Sequence, residues 1–142
     1  MLSVIVPVRN ESNIIQDVLN YFYLNLKKVD YEVLIINDFS NDDTLDKSKN
    51  LINNYKNFKV FNNTKKGLGG AISFGIKKSV GENIAIMMAD QSDDINDLIK
   101  YNDLMISEDY DAILGSRFMK DSKVIDYPFQ KLFLNRIFNF FV

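Results

Sequence analysis

Apolar runs of strand length alternate with segments of helical periodicity along most of this chain. Uninterrupted apolar runs are typical of strands that are buried on both faces of a sheet. The predicted strands are residues 2–8, 31–38, 58–61, 84–90 and 112–115. The predicted helices are residues 14–27, 45–55, 71–79 and 93–107. Strands that alternate with helices predict βαβ units, and therefore an α/β fold with a largely parallel sheet flanked by helices.

Polar residues and glycine at the predicted helix ends fit helix capping. Asn10 and Glu11 precede the first helix, and an Asn-Asp-Asp-Thr run at 41–44 precedes the second. Short polar side chains at these positions accept hydrogen bonds from the free amides of the first turn. Gly81 follows the third predicted helix, where glycine is typical of a C-cap.

Two predicted strands end on an aspartate. Asp38 closes the second strand, and Asp90 closes the fourth, where it is followed by Gln-Ser-Asp-Asp. In an open α/β sheet, ligands bind outside the carboxyl ends of the strands. One carboxylate at this edge suits a nucleotide base or ribose, and the other suits a metal ion that carries a diphosphate. The pattern therefore favours a nucleotide-sugar site.

Composition narrows the chemistry that is open to this site. The chain has 142 residues, which is the size of a single domain. A formal net charge of −2 argues against nucleic-acid binding, which needs a clustered basic face. The chain contains no Cys and no His, which excludes a thiolate nucleophile and the usual general base. Catalysis must then use carboxylates, Lys, Arg, Tyr or a metal ion.

The two ends of the chain bear on its location. The first residues form a strand without a charged leader, and no apolar stretch reaches membrane-spanning length, so we expect a cytoplasmic protein. Residues 128–142 are amphipathic and favour an interfacial helix, separate from a domain at 1–127. The pattern stops at Phe-Phe-Val without a cap, so we expect an N-terminal portion of a longer protein.

Five motifs together resemble family-2 glycosyltransferases, and within them the dolichol- and polyprenyl-phosphate sugar transferases. They are Pro-Val-Arg-Asn-Glu at 7–11, Ile-Asn-Asp-Phe-Ser at 36–40, Gly-Leu-Gly-Gly-Ala at 67–71, Met-Ala-Asp-Gln-Ser-Asp-Asp at 88–94 and Gly-Ser-Arg-Phe at 115–118. Each motif alone is weak, but five in the family's order over nearly the whole chain are specific. The resemblance implies a GT-A-like, Rossmann-like fold in one domain.

The resemblance implies which residues bind the donor. Asp38 would contact its base or ribose, because a carboxylate accepts hydrogen bonds from ring N–H and ribose O–H groups. Further donor contacts fall on Pro7, Asn10, Glu11, Gly67, Gly69 and Gly70. Other interpretations stay open here, since Asn10 and Glu11 also fit a helix cap and the glycines also fit an ordinary loop. Asn37 and Phe39 depart from the family's usual Asp and Gly.

Asp90 is the metal ligand that the resemblance implies. The family's Asp-x-Asp motif is Met88-Ala89-Asp90 here, so the first carboxylate is missing. Mg²⁺ or Mn²⁺ needs only one or two protein carboxylates when phosphates and water complete its shell. Asp93 or Asp94 could add an oxygen or act as a general base, and either also fits a helix cap.

The acceptor residues implied by the resemblance are basic. Arg117 would face the acceptor phosphate or donor diphosphate, because a guanidinium matches phosphate oxygens. Lys131 and Arg136 would bind the phosphate of a polyprenyl lipid, although a helix with two charges can also be simply amphipathic.

The resemblance thus implies an inverting transfer of sugar from a nucleotide-diphosphate sugar, UDP- or GDP-linked, to a polyprenyl phosphate. An anionic acceptor oxygen needs no general base, which suits a chain without His. We expect a cell-envelope enzyme at the inner face of the membrane, with peripheral contact through residues 128–142. A glycosyltransferase with a saccharide acceptor, in cell-surface polysaccharide synthesis, and a non-catalytic nucleotide-binding domain remain alternatives.

Overall fold

The computed structural model describes residues 1–115. The chain divides into two compact units, Met1–Tyr110 and Asp111–Val142, and the elements below belong to the first. The strands are β1 Leu2–Val8, β2 Tyr31–Asn37, β3 Phe58–Asn62 and β4 Asn83–Ile86. The helices are α1 Ile15–Asn25, α2 Thr44–Leu51, α3 Leu68–Lys78 and α4 Ile95–Ser107, and a 3₁₀ turn at Ile52–Asn54 follows α2.

The four strands form one parallel sheet in the order β3-β2-β1-β4. Successive strands β1, β2 and β3 extend the sheet in one direction, and β4 then returns to the free side of β1. The strand order therefore reverses beside β1. Such a reversal opens a crevice at the carboxyl ends of the strands, which is where ligands bind in open α/β sheets.

Alternate residues of the strands build two separate cores. On one face, Val4 and Val6 of β1 and Ile35 of β2 belong to a large cluster with residues of α1 and α4. On the other face, Ile5, Leu34 and Ile36 pack with residues of α3 in a smaller cluster. Seven consecutive buried positions in both β1 and β2 follow from this cover on both faces.

The α/β prediction is confirmed, with a sheet that is wholly parallel in the described residues. The predicted fifth strand at 112–115 is wrong, because that segment has no regular secondary structure. The predicted boundary at 127 and the predicted helix at 128–142 lie outside the described residues. Within residues 1–115, no helix combines the length and the apolar character that crossing a membrane would require.

The fourth strand is shorter than predicted. It ends at Ile86 rather than at Asp90, because its ladder with β1 finishes at the Ile5–Ile86 pair. Met87 still donates its amide to the carbonyl of Ile5 at 3.0 Å, but the next amide, that of Met88, donates to the side chain of Asp93 at 3.2 Å. The chain therefore leaves the sheet and forms a loop, and Asp90 lies in this loop.

Two predicted helix caps are also wrong. Helix α1 begins after Ile14 without a side-chain cap. Asn10 instead contacts the loop after β2, and the amide of Glu11 donates to Thr44, the first residue of α2. Helix α3 ends at Lys78, followed by an extended Ser79, so Gly81 does not cap it. The amide of Gly81 donates to Ser3 Oγ at 2.8 Å, and a side chain at Gly81 would meet the carbonyl oxygen of Met1 at 2.7 Å.

Candidate functional site

Three residues with left-handed backbone lie in the loops at the carboxyl edge of the sheet. Asn10, Phe39 and Gln91 have φ angles of 59°, 54° and 56° in the loops after β1, β2 and β4. A side chain makes this conformation unfavourable, above all for a bulky residue such as phenylalanine. Such strain persists only where surrounding contacts impose it, and it is concentrated at functional sites.

Hydrogen bonds join the loop after β1 to the loop after β2. Asn10 donates its backbone amide to Ser40 Oγ at 3.0 Å, and its side-chain Oδ1 accepts from the amide of Asn41 at 2.8 Å. The amide of Ser12 donates to Asp42 Oδ2 at 3.2 Å. The residues that resemble caps in the sequence therefore fix one loop against another.

Thr44 connects two acidic residues of these loops. Its Oγ1 accepts from the backbone amide of Glu11 at 2.7 Å and donates to Asp42 Oδ1 at 2.5 Å. The hydroxyl is buried at the start of α2, so its position is fixed by the helix. Glu11 and Asp42 are thereby held on neighbouring loops at the same edge of the sheet.

The electrostatics show that three carboxylates share this edge. Burial raises the pKa of Glu11 above its ordinary value of 4.5, and the negative charges of Asp90 and Asp42 raise it further. The hydrogen bond from the Thr44 hydroxyl, with others from the Thr44 and Ser12 amides, lowers the pKa of Asp42 to about 2. Asp42 therefore stays ionised, and Glu11 experiences a negative field that a cation would neutralise.

Asp90 is exposed in the loop between β4 and α4, and its Oδ1 accepts from the amide of Ser92 at 3.0 Å. Asp93 accepts from the amide of Met88, which holds the same loop closed. Asp94 caps α4 by accepting from the amide of Asn96 at 2.8 Å, as predicted for one of the two acids. Asp90 is thus the acid of this segment that faces solvent without capping the helix.

The residues present fit a metal ion that binds together with a diphosphate better than one bound by protein alone. Within residues 1–115, no group of three or more acidic side chains is arranged to hold a metal ion. Asp90 can supply one oxygen, with the charges of Glu11 and Asp42 nearby. A Mg²⁺ or Mn²⁺ site with one protein carboxylate is completed by phosphate oxygens and water.

Asp38 is buried at the other side of the β1 terminus, with 5% of its surface exposed. Its Oδ1 accepts from Asn63 Nδ2 at 2.8 Å, and the amide of Gly67 donates to both oxygens, at 2.9 Å to Oδ1 and 3.0 Å to Oδ2. The structure therefore brings together Asp38 and Gly67, which the sequence analysis places in the donor site separately.

The glycines at 67–70 differ in whether another residue could take their place. Gly67 has φ +108°, a conformation that side chains rarely adopt, and it precedes the first residue of α3. A Cβ on Gly70 would overlap the carbonyl oxygen of Lys65, whereas a Cβ on Gly69 would meet no atom within 4 Å. Gly67 and Gly70 are therefore needed for the loop itself, and Gly69 is not.

A cavity of about 440 Å³ lies along the flank of α3 and shares Gly69 and Gly70 with this loop. Its lining also includes Lys65, Lys77 and Lys78. None of the carboxylates discussed above lines it. This lysine-lined cavity and the acidic edge of the sheet are therefore different surfaces.

The remaining site predictions concern one residue of β1 and three basic residues near the end of the chain. Pro7 is buried within β1, and its assignment to the donor site stays a prediction. Arg117, Lys131 and Arg136 lie outside the described residues.

Sequence reasoning missed two residues of this edge, Asp42 and Asn63. A polar residue at the end of a strand is the signal that indicates Asp38, and the Asn-Asn pair at the end of β3 carries the same signal.

Comparison with known proteins identifies the family of this chain. The sequence model described as "Glycosyl transferase family 2" matches residues 3–142. The chain belongs to glycosyl transferase family 2.

Two curated proteins are similar to this chain in sequence. A dolichol-phosphate mannosyltransferase of Pyrococcus furiosus is 30% identical over 136 residues, covering 95% of this chain and 38% of the relative. A dolichyl N-acetyl-α-D-glucosaminyl phosphate 3-β-D-2,3-diacetamido-2,3-dideoxy-β-D-glucuronosyltransferase of Methanococcus voltae is 37% identical over 84 residues, which are 57% of this chain and 26% of that one. The chain thus spans well under half the length of the curated relatives it matches.

Solved glycosyltransferases share the fold. S. aureus TarS, residues 1–349, aligns with a TM-score of 0.56 and 27% identity over 72% of this chain and 32% of that one. TarS has the same TM-score in its complex with UDP-GlcNAc. A mannosyltransferase of Pyrobaculum calidifontis, solved with GDP-Man and Mn²⁺, aligns with a TM-score of 0.57 and 23% identity, over 63% of this chain and 27% of that one. The GT-A-like fold prediction is confirmed.

Proposed function

We propose that this glycosyltransferase chain binds a nucleotide-diphosphate sugar at the carboxyl edge of its sheet and transfers the sugar, with inversion, to a polyprenyl phosphate. The donor is UDP- or GDP-linked. The 30% identity to a dolichol-phosphate mannosyltransferase supports the acceptor class. The likeness to TarS, which was solved with UDP-GlcNAc, supports the donor class.

The observation that carries this proposal is the position of Glu11, Asp42 and Asp90 around the end of β1. The strand order reverses at this point, and the pKa of Glu11 is raised by burial and further by the charges of Asp90 and Asp42. A concentration of negative charge would repel a diphosphate. The site therefore suits a diphosphate only when a divalent cation binds together with it and neutralises this charge.

Asp90 would hold Mg²⁺ or Mn²⁺, which when bound would stabilise the negative charge on the leaving diphosphate. Asp38 and the Gly67 loop, on the other side of β1, bind the base or ribose. Asn10 holds the loops after β1 and β2 together and thereby stabilises the site.

The transfer forms one bond and breaks one. An oxygen of the acceptor phosphate attacks the anomeric carbon, the bond from that carbon to the donor diphosphate breaks, and the nucleoside diphosphate leaves with the electron pair. The attacking oxygen is already anionic, so no protein group has to remove a proton. Arg117, Lys131 and Arg136 provide the positive charge for the acceptor phosphate.

The contacts of Asp93 and Asp94 favour this acceptor over a sugar hydroxyl. A hydroxyl acceptor needs a general base, and these two residues are the candidates in this segment. Asp93 already accepts from the amide of Met88, and Asp94 caps α4. Both carboxylates therefore already accept hydrogen bonds that stabilise the fold. This supports an acceptor that requires no general base.

The lipid acceptor also leads us to propose a location. A polyprenyl phosphate presents its phosphate at a membrane surface, so the chain would act at the inner face of the cell membrane. Residues 128–142, with many apolar positions and two basic residues, would provide the peripheral contact.

Calorimetric titration of the full chain with UDP, GDP and their sugar conjugates, with and without Mn²⁺, tests the donor site. We expect one nucleotide to bind, tighter with metal, and Asp90→Asn to abolish the metal effect. Asp97→Asn is the matched control, because Asp97 is a surface carboxylate of α4 that pairs with Lys100. Its binding should equal that of the wild type.

Two results would contradict the proposal. One is a chain that is folded by circular dichroism yet binds none of these nucleotides. The other is metal-dependent binding that survives in Asp90→Asn. For the acceptor, mass spectrometry after incubation with donor and a short polyprenyl phosphate should show the glycosylated lipid phosphate, and glycosylation of a saccharide alone would favour the alternative.

A further inference from the structure

Asn63 has no role in the proposed transfer so far, yet its position is unusual for an asparagine. It follows the last residue of β3, and only 5% of its surface is exposed. Its backbone amide donates to the carbonyl of Asn37 at 2.9 Å, which continues the pairing with β2 beyond the strand. The side chain is thereby held next to Asp38, the residue that follows Asn37.

Both N–H groups of the Asn63 side chain are used, and its oxygen accepts one hydrogen bond. Nδ2 donates to Asp38 Oδ1 at 2.8 Å and to the carbonyl of Lys65 at 2.6 Å. Oδ1 accepts from the amide of Lys65 at 3.2 Å. The side chain therefore connects the carboxylate to the segment that leads into α3.

The contacts of Asp38 are unequal. Oδ1 accepts from both Asn63 and Gly67, whereas Oδ2 accepts from Gly67 alone. An ionised carboxylate has about four lone-pair positions, two on each oxygen. Oδ1 is thus saturated by the protein, and Oδ2 keeps acceptor capacity for a further donor.

We propose that Asn63 is a positioning residue of the donor site. It holds Oδ1 of Asp38, so that Oδ2 is presented to a ring N–H or ribose O–H of the nucleotide, and it keeps the Gly67 loop closed on the same carboxylate. The role rests on the proposed function, since it supposes that a nucleotide binds at Asp38. Without Asn63 the carboxylate can rotate, and its hydrogen bond to the ligand loses its fixed geometry.

The first test compares donor affinities of two neighbouring variants. In Asn63→Ala we expect the Kd for the bound nucleotide sugar to rise about tenfold or more, as for the loss of an oriented hydrogen bond to a charged group. Asn62→Ala is the matched control, because Asn62 lies in the same segment and contacts Asn37 instead of Asp38. Its Kd should remain within about twofold of the wild-type value.

A purely structural role would lower stability without changing the affinity of the folded protein. Each variant is therefore titrated at a temperature where circular dichroism shows it to be folded. Unchanged affinity in folded Asn63→Ala overturns the inference. Absence of binding by the wild type, in contrast, is a failure of the proposed function.

A second measurement needs no variant. In the wild type, the Asn63 side-chain NH₂ and the Gly67 amide should exchange slowly with solvent by NMR, because both donate to buried Asp38. Their resonances should shift when the nucleotide sugar binds. Fast exchange of the Asn63 NH₂, or resonances that stay unchanged at saturation, would overturn the inference even if Asn63→Ala does not fold.

Discussion

Lys59 donates to Glu32 Oε2 at 2.8 Å, next to the amino ends of β2 and β3 and opposite the candidate site. Glu32 is 4% exposed, and its other oxygen accepts from Ser3 Oγ at 2.7 Å and from the amide of Val80 at 2.8 Å. Through these contacts Glu32 of β2 connects β1, β3 and the segment that follows α3. It stabilises the scaffold and has no part in the chemistry.

The first prediction concerns the pH dependence of stability. Burial by itself would raise the pKa of Glu32, but hydrogen bonds from Lys59, Ser3 and Val80 bring it below its ordinary value of 4.5. The stabilisation by ionised Glu32 is therefore complete above pH 4.5 and is lost as the pH falls through the lowered pKa. Urea unfolding at a series of pH values should show this loss in the wild type.

Glu32→Gln isolates the contribution of this residue. At pH 7 it should lower the free energy of unfolding by about 1–3 kcal/mol, because one of the two acceptor oxygens becomes an NH₂ group that faces Lys59. Asp97→Asn, which breaks the exposed pair with Lys100, should cost less than about 1 kcal/mol. Equal effects of the two substitutions would show that the Glu32 network is not stabilising.

The second prediction separates two adjacent glycines of α3. Gly70→Ala should destabilise the protein by about 1–3 kcal/mol, because its Cβ would overlap the backbone oxygen of Lys65 and force the loop apart. Gly69→Ala meets open space and should be neutral or stabilising by up to about 1 kcal/mol, since alanine favours the helix. Thermal unfolding of both variants gives the comparison, and equal melting temperatures would contradict it.

The contrast between β2 and β4 shows what the sequence could predict. The buried run of β2 pairs along its whole length, and its predicted end is one residue from the observed end at Asn37. The apolar run of β4 continues to Ala89, but the ladder stops at Ile86. Met87 makes one last hydrogen bond to β1, and Asp93 then takes the amide of Met88. Apolar patterns reveal burial, and the competing side-chain hydrogen bond that ends a strand cannot be read from them.

The same contrast holds for the candidate site: single positions could be predicted from the sequence, and contacts between distant residues could not. The positions of Glu11, Asp38 and Asp90 at the carboxyl edge could be predicted because each follows a strand-like run and matches a known motif, and their roles in binding stay predictions. The contact of Asp38 with Asn63 could not, since it joins residues 25 apart through the β2–β3 pairing.

The third prediction tests backbone strain at Phe39. Its φ of 54° is left-handed, which costs a residue with a side chain roughly 1–2 kcal/mol. Phe39→Gly removes that cost but adds about 0.5–1 kcal/mol of backbone entropy, so stability should rise by up to about 1 kcal/mol. Phe39→Ala keeps a Cβ and should give no such gain, because the exposed ring contributes little to the core. Urea unfolding of both variants decides, and a less stable glycine variant would show that the ring outweighs the strain.

The last prediction concerns the repulsion among the carboxylates of the site. Burial and the charges of Asp90 and Asp42 raise the pKa of Glu11, so ionised Glu11 destabilises the folded protein at neutral pH. Glu11→Gln should therefore raise the melting temperature at pH 7 in the absence of metal. This pH dependence of stability is opposite to that of Glu32. The destabilisation by ionised Glu11 is present above its raised pKa and disappears as the pH falls below 4.5. Differential scanning calorimetry of both proteins between pH 4 and pH 8 measures this, with Glu108→Gln as a surface control from the end of α4. A melting-temperature difference that does not depend on pH would mean that Glu11→Gln acts through packing, and that the three carboxylates do not share one field.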